Sequence, residues 1–192
     1  TKVAELITAE DKEYKAGVLL GVETDTLDIT GKVIKSKPVD LSKDIEKIVN
    51  SYQKTYMQEV PIYSAIKVKG KKLYEYARKG EKVELPKKEV TVKKIKLLSS
   101  DNDTFIIKAL VTKGCYIRSL IRDIGRSLDT YATMTTLTRT KQGTIDIYKY
   151  GESTLKVAVE YSTMGNKKIK KSNKYFAFNN PKLNMIKNGS WE

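Results

Sequence analysis

The chain has 192 residues, enough for one domain with or without a small appendage, and its 37 basic and 23 acidic side chains give a net charge of +14. The absence of histidine excludes a zinc site and any catalysis by a histidine acid or base. One cysteine excludes an intrachain disulfide, and there is neither a membrane-spanning apolar run nor a signal-peptide pattern, so we expect a cytoplasmic protein.

The hydrophobic pattern along the chain predicts alternating strands and short helices. A strand is predicted over residues 13–22. Asp40 or Ser42 is predicted to cap a helix, and residues 73–79 are predicted to form a second helix that Gly80 ends. The apolar face of the first helix consists of Ile45, Ile48, Val49 and Tyr52.

Two paired strands are predicted next, over residues 90–98 and 105–112. Gly114 then lets the backbone turn without steric cost, and an amphipathic helix follows. A last helix is predicted from a cap at Ser153 through Val159. Together these elements predict an α+β fold with a largely antiparallel sheet flanked by helices. The apolar face of the helix after Gly114 consists of Ile117, Leu120, Ile121, Ile124 and Leu128.

Three arginines lie four residues apart on the helix after Gly114, so they share one face. For Arg122 and Arg126 the pattern favours a solvated basic stripe. Arg118 differs because it lies in the first turn, where a cation opposes the helix dipole. We therefore expect Arg118 to have a specific partner, either a bound anion or a carboxylate.

The charge is unevenly distributed along the chain. Residues 1–64 carry 9 basic and 11 acidic side chains, net −2, whereas residues 65–192 carry 28 and 12, net +16. This surplus indicates a polyanionic partner, although a lysine-rich composition can also serve solubility alone. The tyrosines interleaved with the lysines favour RNA, because exposed bases stack on aromatic faces.

Four groups of segments resemble, in the family's order, the motifs of the TruB family of tRNA pseudouridine synthases. The similarity runs from Thr1 to about Tyr150. Ordered motifs at the family's spacing are more specific than any one motif. The four groups are residues 1–2; residues 11–16, 20–21 and 24–28; residues 63–67, 70 and 73–78; and residues 113–125, 137–140 and 143.

The resemblance implies a pseudouridine synthase fold and isomerisation of the T-loop uridine (uridine-55) of tRNA, without a metal or a cofactor. In the family the nucleophilic aspartate belongs to a motif just upstream of the Thr-Lys pair that Thr1 and Lys2 resemble. We therefore expect an N-terminally truncated enzyme that is inactive alone. Residues 26–31 superficially imitate that motif, but their context assigns Asp28 to a turn or to the lining of the site.

The resemblance also assigns two catalytic roles. It makes Arg118 the partner that lowers the pKa of the nucleophilic carboxylate, through its charge and its hydrogen bonds. It places Tyr14 against the target base, where a tyrosine offers a flat face and a hydroxyl. Without the family, a tyrosine midway along a strand is more often a core residue. Tyr116 either touches the base or packs behind the site.

A group of basic and aromatic residues resembles the part of the bacterial enzymes that grips RNA. Ammonium groups around Gly70 suit phosphates, and the target base is flipped out of the T-loop at a cost of about a few kcal/mol. An exposed lysine loop that orders only on RNA is equally compatible. We expect a monomer that binds the T-arm of tRNA and no membrane. The predicted RNA-binding residues are Tyr63, Lys67, Lys69, Lys71, Arg78, Lys113 and Tyr116.

Residues 1–150 are predicted to form the catalytic domain, with its N-terminal part missing, and residues 151–192 a linker and an incomplete segment similar to a PUA domain. Two departures from the family pattern are small. Val60-Pro61 stands where two prolines are common, and Cys115 stands where a threonine is usual, which weakens a hydroxyl hydrogen bond.

Two alternatives remain open. A non-catalytic RNA-binding module explains the charge and the tyrosines but not the ordered motifs. The guide-RNA-dependent branch of the family lacks the insertion over residues 63–78, so its presence favours the stand-alone bacterial type.

Overall fold

The computed structural model describes residues 11–143 in full and, beyond them, the backbone of residues 145–150, 154–159 and 176–179. The chain divides into two compact units, one over residues 14–138 and the other over residues 1–13 and 139–192. The motif at Thr1-Lys2 and most of the predicted linker and PUA-like segment over residues 151–192 lie outside the described residues.

The larger unit is built around antiparallel pairing. In its main sheet the strand order is β9-β1-β8-β7-β4, and two short hairpins, β2-β3 and β5-β6, stand apart from this sheet. The pairs β4-β7 and β7-β8 are antiparallel. The strands are β1 (Lys12–Leu20), β2 (Val22–Thr24), β3 (Val33–Ser36), β4 (Thr55–Glu59), β5 (Lys67–Val68), β6 (Lys71–Lys72), β7 (Lys87–Asp101), β8 (Thr104–Val111) and β9 (Ala132–Gln142). The helices are α1 (Ile45–Ser51), α2 (Leu73–Lys79) and α3 (Ile117–Ser127).

The core lies between one face of the main sheet and helices α1 and α3. The apolar residues of β8 alternate strictly between buried and half-buried, as a strand with one covered face requires. The predicted apolar face of α3 is buried at every position, with 0–5% of each residue exposed. The buried side chains of α3 are Ile117, Leu120, Ile121 and Ile124, and Leu128 follows at its C-cap.

The start of α1 and the end of α2 follow ordinary capping chemistry. The predicted cap of α1 at Asp40 or Ser42 was wrong, because Asp44 is the N-cap and its Oδ1 accepts a hydrogen bond from the Lys47 amide at 2.9 Å. Asp40 instead accepts from Ser42 in the preceding turn. Gly80 ends α2 in the left-handed region at φ 64°, as predicted.

The described part of the smaller unit contains three further strands, β10 (Ile145–Tyr150), β11 (Thr154–Val159) and β12 (Phe176–Asn179). Within this unit, β10 pairs with the end of β9 at Gln142, and β11 pairs antiparallel with both β10 and β12. The predicted helix from Ser153 through Val159 was therefore wrong. A six-residue segment rich in β-branched residues pairs along its whole length with β10, and this pairing outweighs a possible cap.

No helix in the described part of the chain is both long enough and apolar enough to cross a bilayer.

Candidate active site

Arg118 joins three separate segments of the larger unit. Its Nη1 donates a hydrogen bond to the carbonyl oxygen of Thr26 at 3.1 Å, and its Nη2 donates to the carbonyl oxygen of Tyr63 at 3.2 Å. The side chain is half-buried at the start of α3. Helix α3, the turn after β2 and the loop after β4 therefore meet at one guanidinium.

No carboxylate lies beside Arg118 in the part of the chain that the structure describes, so its expected anionic partner, a bound anion or a carboxylate, stays a prediction. No acidic side chain there forms an ion pair with it, and two neutral carbonyl oxygens take the hydrogen bonds instead. Carbonyl dipoles orient a guanidinium without cancelling its charge. Among the described residues, Arg118 is thus a positioned cation whose charge no carboxylate balances.

The Thr26 carbonyl is presented by a tight turn over residues 24–31. Thr24 Oγ1 donates to the Asp28 carbonyl at 2.7 Å, and Asp28 Oδ1 accepts from the Thr30 amide at 3.0 Å and the Thr30 hydroxyl at 2.7 Å. Leu27, which is 8% exposed, has φ 60°, a conformation that costs a non-glycine residue about 1 kcal/mol. The turn therefore fixes the carbonyl, and Asp28 lies in a turn as predicted.

Gly31 permits the close packing of this turn. A Cβ at Gly31 would lie 2.5 Å from Asp25 Oδ1 and 3.1 Å from Thr24 Cβ, and closer still to Thr26 Oγ1. Asp25 in turn accepts a hydrogen bond from the Lys32 amide at 2.9 Å. Any larger residue at position 31 would push the turn away from Arg118.

Tyr63 contributes to this site through both its backbone and its ring. Its carbonyl oxygen receives Arg118, and its hydroxyl donates to Asp25 Oδ2 at 3.5 Å, a long hydrogen bond. The loop after β4 is thereby connected to the turn after β2. The structure places Tyr63 at the Arg118 site itself, with its side chain only half-buried.

One buried residue at the start of α3, Gln58, was not among the predicted site residues. Gln58, 1% exposed, accepts the Tyr116 amide through Oε1 at 2.8 Å, while its Nε2 donates to Tyr56 Oη at 2.8 Å. Tyr116 is the N-cap of α3, so Gln58 fixes the point from which the helix starts. The only available signal was strand alternation, which puts this amide on the buried face of β4 with Tyr56.

Gln58 also contacts Cys115, the residue that departs from the family pattern. Its Nε2 lies 3.7 Å from Cys115 Sγ, a weak hydrogen bond. Burial raises the pKa of the Cys115 thiol to about 12, so this thiol stays protonated and unreactive near neutral pH. The position has a packing and hydrogen-bonding role only.

Arg122 is not part of a solvated stripe, contrary to the prediction. It is 3% exposed, and its guanidinium contacts Asp123 Oδ1 at 2.8 Å and Glu59 Oε1 at 3.1 Å. Burial raises the pKa of Asp123 above its ordinary value of 3.8, and the charge of Arg122 partly opposes this shift. Arg126, with half of its side chain exposed, does lie at the surface as predicted.

Three further predicted residues lie on β1 or at the start of α3, namely Tyr14, Lys113 and Tyr116. Tyr14 is half-buried on β1 and packs against the hydrophobic core, so the structure supports packing at this position and leaves the family's role as a prediction. Lys113 is exposed just before α3, and Tyr116 is half-buried at its N-cap.

The predicted RNA-gripping residues form a compact hairpin and helix. Lys67 lies on β5, and Lys69 and Gly70, both with positive φ, form the turn to β6. Lys67 and Lys69 are exposed. The insertion therefore contains a hairpin on which the ammonium groups of Lys67 and Lys69 face solvent.

The remaining cations of the insertion lie over tyrosine rings. Lys71 Nζ contacts Glu81 and lies 4.4 Å from the Tyr76 ring centroid, and Arg78 lies 5.3 Å from the Tyr74 ring centroid. Cation–π contacts of this kind hold the cations against the helix. Lys71 is consequently less available to a phosphate than Lys67 or Lys69.

Comparison with known proteins agrees with these motifs. Residues 1–117 match the family model described as TruB family pseudouridylate synthase (N terminal domain). The chain is 46% identical over 144 residues to the tRNA pseudouridine synthase B of Fusobacterium nucleatum subsp. nucleatum, covering 74% of this chain and 50% of that protein. It is 41% identical over 150 residues to the tRNA pseudouridine synthase B of Caldanaerobacter subterraneus subsp. tengcongensis, covering 77% and 53%.

The chain thus spans about half the length of the curated relatives that it matches. Its fold is similar to that of a solved chain described as "Crystal Structure of a Cbf5-Nop10-Gar1 Complex", with a TM-score of 0.52 and 24% identity. That similarity covers 74% of this chain and 33% of the other. The chain therefore belongs to the TruB family of pseudouridine synthases and has an α+β fold with a mostly antiparallel sheet.

Proposed function

We propose that this chain is the substrate-orienting part of a tRNA pseudouridine synthase that isomerises the T-loop uridine, with the nucleophilic aspartate supplied from outside these 192 residues. The observation that carries the proposal is the Arg118 guanidinium, held by two carbonyl oxygens and paired with no carboxylate of the described residues. A cation fixed in this way is prepared to receive an acid.

The chemistry explains why such a cation is needed. Isomerisation breaks an N-glycosidic bond, turns the base and rejoins it through carbon, and the family's route begins with an ionised carboxylate. A guanidinium beside that carboxylate lowers its pKa and fixes its orientation. Arg118 performs this role in the proposal, and Tyr14 lies against the flipped base.

The nearest acidic residues of the described chain are already occupied. Asp25 accepts the Lys32 amide at 2.9 Å, and Asp28 accepts both the amide and the hydroxyl of Thr30. These hydrogen bonds come from residues of the same turn and hold both carboxylates in it, and neither carboxylate forms an ion pair with Arg118. Both residues are therefore assigned to the turn.

The RNA-binding part of the proposal rests on the insertion. Lys67 and Lys69 offer exposed ammonium groups on an ordered hairpin, and Lys113 offers another just before α3. Contacts to phosphates offset the cost of flipping a base, about a few kcal/mol. The partner in this proposal is the T-arm of a cytoplasmic tRNA, bound by a monomer.

A tritium-release assay tests the chemical half of the proposal. A T-arm stem-loop labelled at carbon 5 of its uridine is incubated with the chain, and no release above background is expected. Substantial turnover would show that another residue of this chain attacks the base, and the Asp25→Asn and Asp28→Asn variants would show whether it is one of these two.

A binding assay tests the substrate half. The chain is expected to prefer the T-arm stem-loop to a hairpin of the same length with a scrambled loop, and Arg118→Gln is expected to reduce that preference. Lys94→Gln, at an exposed position on β7, removes the same charge elsewhere and is the matched control.

A non-catalytic RNA-binding module is the second candidate, favoured by the exposed lysines of the insertion hairpin. For such a module, Lys67→Gln weakens binding to every hairpin equally. Arg118→Gln then leaves the preference between loops unchanged, which separates the two candidates.

A further inference from the structure

A surface pocket opens on α3 one to two turns beyond Arg118. Its volume is about 450 Å³, and it lies between the C-terminal half of α3 and strands β4 and β7. We call it the Arg126 pocket. The side chains used below are Lys54, Glu59, Lys87, Arg122, Asp123 and Arg126, all of which line it.

The charges of the Arg126 pocket do not cancel. Four of these side chains are cationic and two are carboxylates, a surplus of two positive charges. Arg122 takes both carboxylates, Asp123 at 2.8 Å and Glu59 at 3.1 Å, and is itself buried. Both carboxylates are thus paired with the buried Arg122, and the surplus positive charge lies on Lys54, Lys87 and Arg126 at the rim of the pocket.

Arg126 is the cation that this arrangement leaves available. Its Nη1 is 4.0 Å from Glu59 Oε1 and 4.0 Å from Asp123 Oδ1, beyond hydrogen-bond distance from either, and half of its side chain is exposed. Lys54 and Lys87 are exposed beside it. Lys54 Nζ lies 4.9 Å from the centroid of the Tyr52 ring.

The pocket continues a line of contacts that starts at Arg118. Along α3, Arg118 contacts Tyr63 and Arg122 contacts Glu59, so the segment over residues 59–63 runs in the opposite direction beside the arginine face. A helix rises about 1.5 Å per residue, which places Arg126 about 12 Å along the axis from Arg118. A few nucleotides of one RNA strand can span this distance, so one strand can contact both arginines.

We propose that the Arg126 pocket binds a backbone phosphate of the RNA, at a nucleotide adjacent to but distinct from the one held at Arg118. A phosphate suits the site because a guanidinium donates to it bidentately and two lysines add charge at the rim. The inference rests on the proposed function in requiring RNA, and it requires neither catalysis nor loop preference.

Affinity measured against salt concentration tests the proposal first. Arg126→Gln is expected to weaken binding of the T-arm stem-loop about fivefold at low salt. It is also expected to flatten the plot of log K against log salt by about 0.7 to 0.9, the loss of one phosphate contact. Lys94→Gln is the charge-matched control, and Arg126→Lys should restore most of the salt slope. Melting temperatures of all three variants exclude a loss of fold.

Phosphate ethylation gives the position of the contact. Hairpins ethylated at single phosphates are bound to the wild-type chain, to Arg126→Gln and to Arg118→Gln. Ethylation of one particular phosphate is expected to weaken RNA binding by the wild type and by Arg118→Gln. The same ethylation should not weaken binding by Arg126→Gln further, because that variant has already lost the contact.

Three outcomes would overturn the Arg126 assignment. They are an Arg126→Gln variant that matches Lys94→Gln, an ethylation profile without a position silenced in Arg126→Gln, and a chain that binds no RNA. If the chain binds both hairpins equally and Arg126→Gln still shows the expected losses, the proposed function fails and the phosphate site stands.

Discussion

Replacing Gln58 with methionine is expected to destabilise the chain and to loosen the start of α3. Methionine has the same unbranched shape and length, so the substitution removes the polar atoms with little change in packing. The Tyr116 amide then loses its acceptor at 2.8 Å, and Tyr56 Oη loses a donor at 2.8 Å.

The expected magnitude follows from these two contacts. A backbone amide left without its partner costs about 1–3 kcal/mol when buried. Tyr116 is half-buried and Tyr56 keeps a hydrogen bond to Asp123 at 3.3 Å, so we expect the lower part of that range, about 1–2 kcal/mol. For a chain of this size that corresponds to a decrease in melting temperature of about 2–8 °C.

Urea unfolding monitored by circular dichroism measures the effect. The reverse substitution at the neighbouring position, Met57→Gln, is the matched control, because Met57 is 56% exposed and the change should stay within about 0.5 kcal/mol. The m-value should be the same for all three proteins.

The effect should also extend to Arg118. If Gln58 holds the start of α3, then Gln58→Met and Arg118→Gln are expected to be less than additive in RNA affinity, because the first already displaces the guanidinium. A Gln58→Met variant as stable as the wild type, or fully additive effects on affinity, would refute this reasoning.

Three further outcomes are expected. Gly125→Ala should destabilise the chain by about 1–3 kcal/mol in thermal unfolding, because the new Cβ would lie 2.8 Å from the Ala132 amide nitrogen. This steric cost should outweigh alanine's better helix propensity. A variant as stable as the wild type would show that α3 can shift away from Ala132 at little cost. Cys115 should react with iodoacetamide at pH 8 about a hundredfold or more slowly in the folded chain than in urea, because burial raises its pKa to about 12. Burial also raises the pKa of Asp123, so the folded chain binds that proton more tightly than the unfolded chain. The free energy of unfolding of the wild type should therefore fall relative to that of Asp123→Asn as pH rises from about 3.8 through the pKa of Asp123 in the folded chain. A difference between the two proteins that does not change with pH would show that burial does not raise this pKa.

Periodicity predicted the elements whose apolar faces are long and regular. Five apolar residues at helical spacing identified α3, and Gly80 identified the end of α2, because each signal lies within a few residues of the element it describes. The segment from Ser153 to Val159 is too short for its period to separate a helix from a strand, and only the pairing with β10 decides it.

The partners of Arg118 could not be predicted in this way. Both acceptors are backbone carbonyl oxygens, at Thr26 and Tyr63, which lie 92 and 55 residues away in sequence and carry no side-chain signature. The burial of Arg122 likewise depends on Glu59, 63 residues away. Sequence motifs named Arg118 and Tyr63 as candidate site residues, and the tertiary structure decides what each of them contacts.

Photo-crosslinking of the target uridine tests whether the base lies at Arg118. A T-arm stem-loop with 4-thiouridine at the target position is irradiated with the chain, and the crosslinked peptides are identified by mass spectrometry. Crosslinks are expected within β1 around Tyr14 or within the segments that meet at Arg118, and they should be lost in Arg118→Gln. Crosslinks confined to the insertion hairpin or to residues 139–192, unchanged in that variant, would contradict this placement of the base.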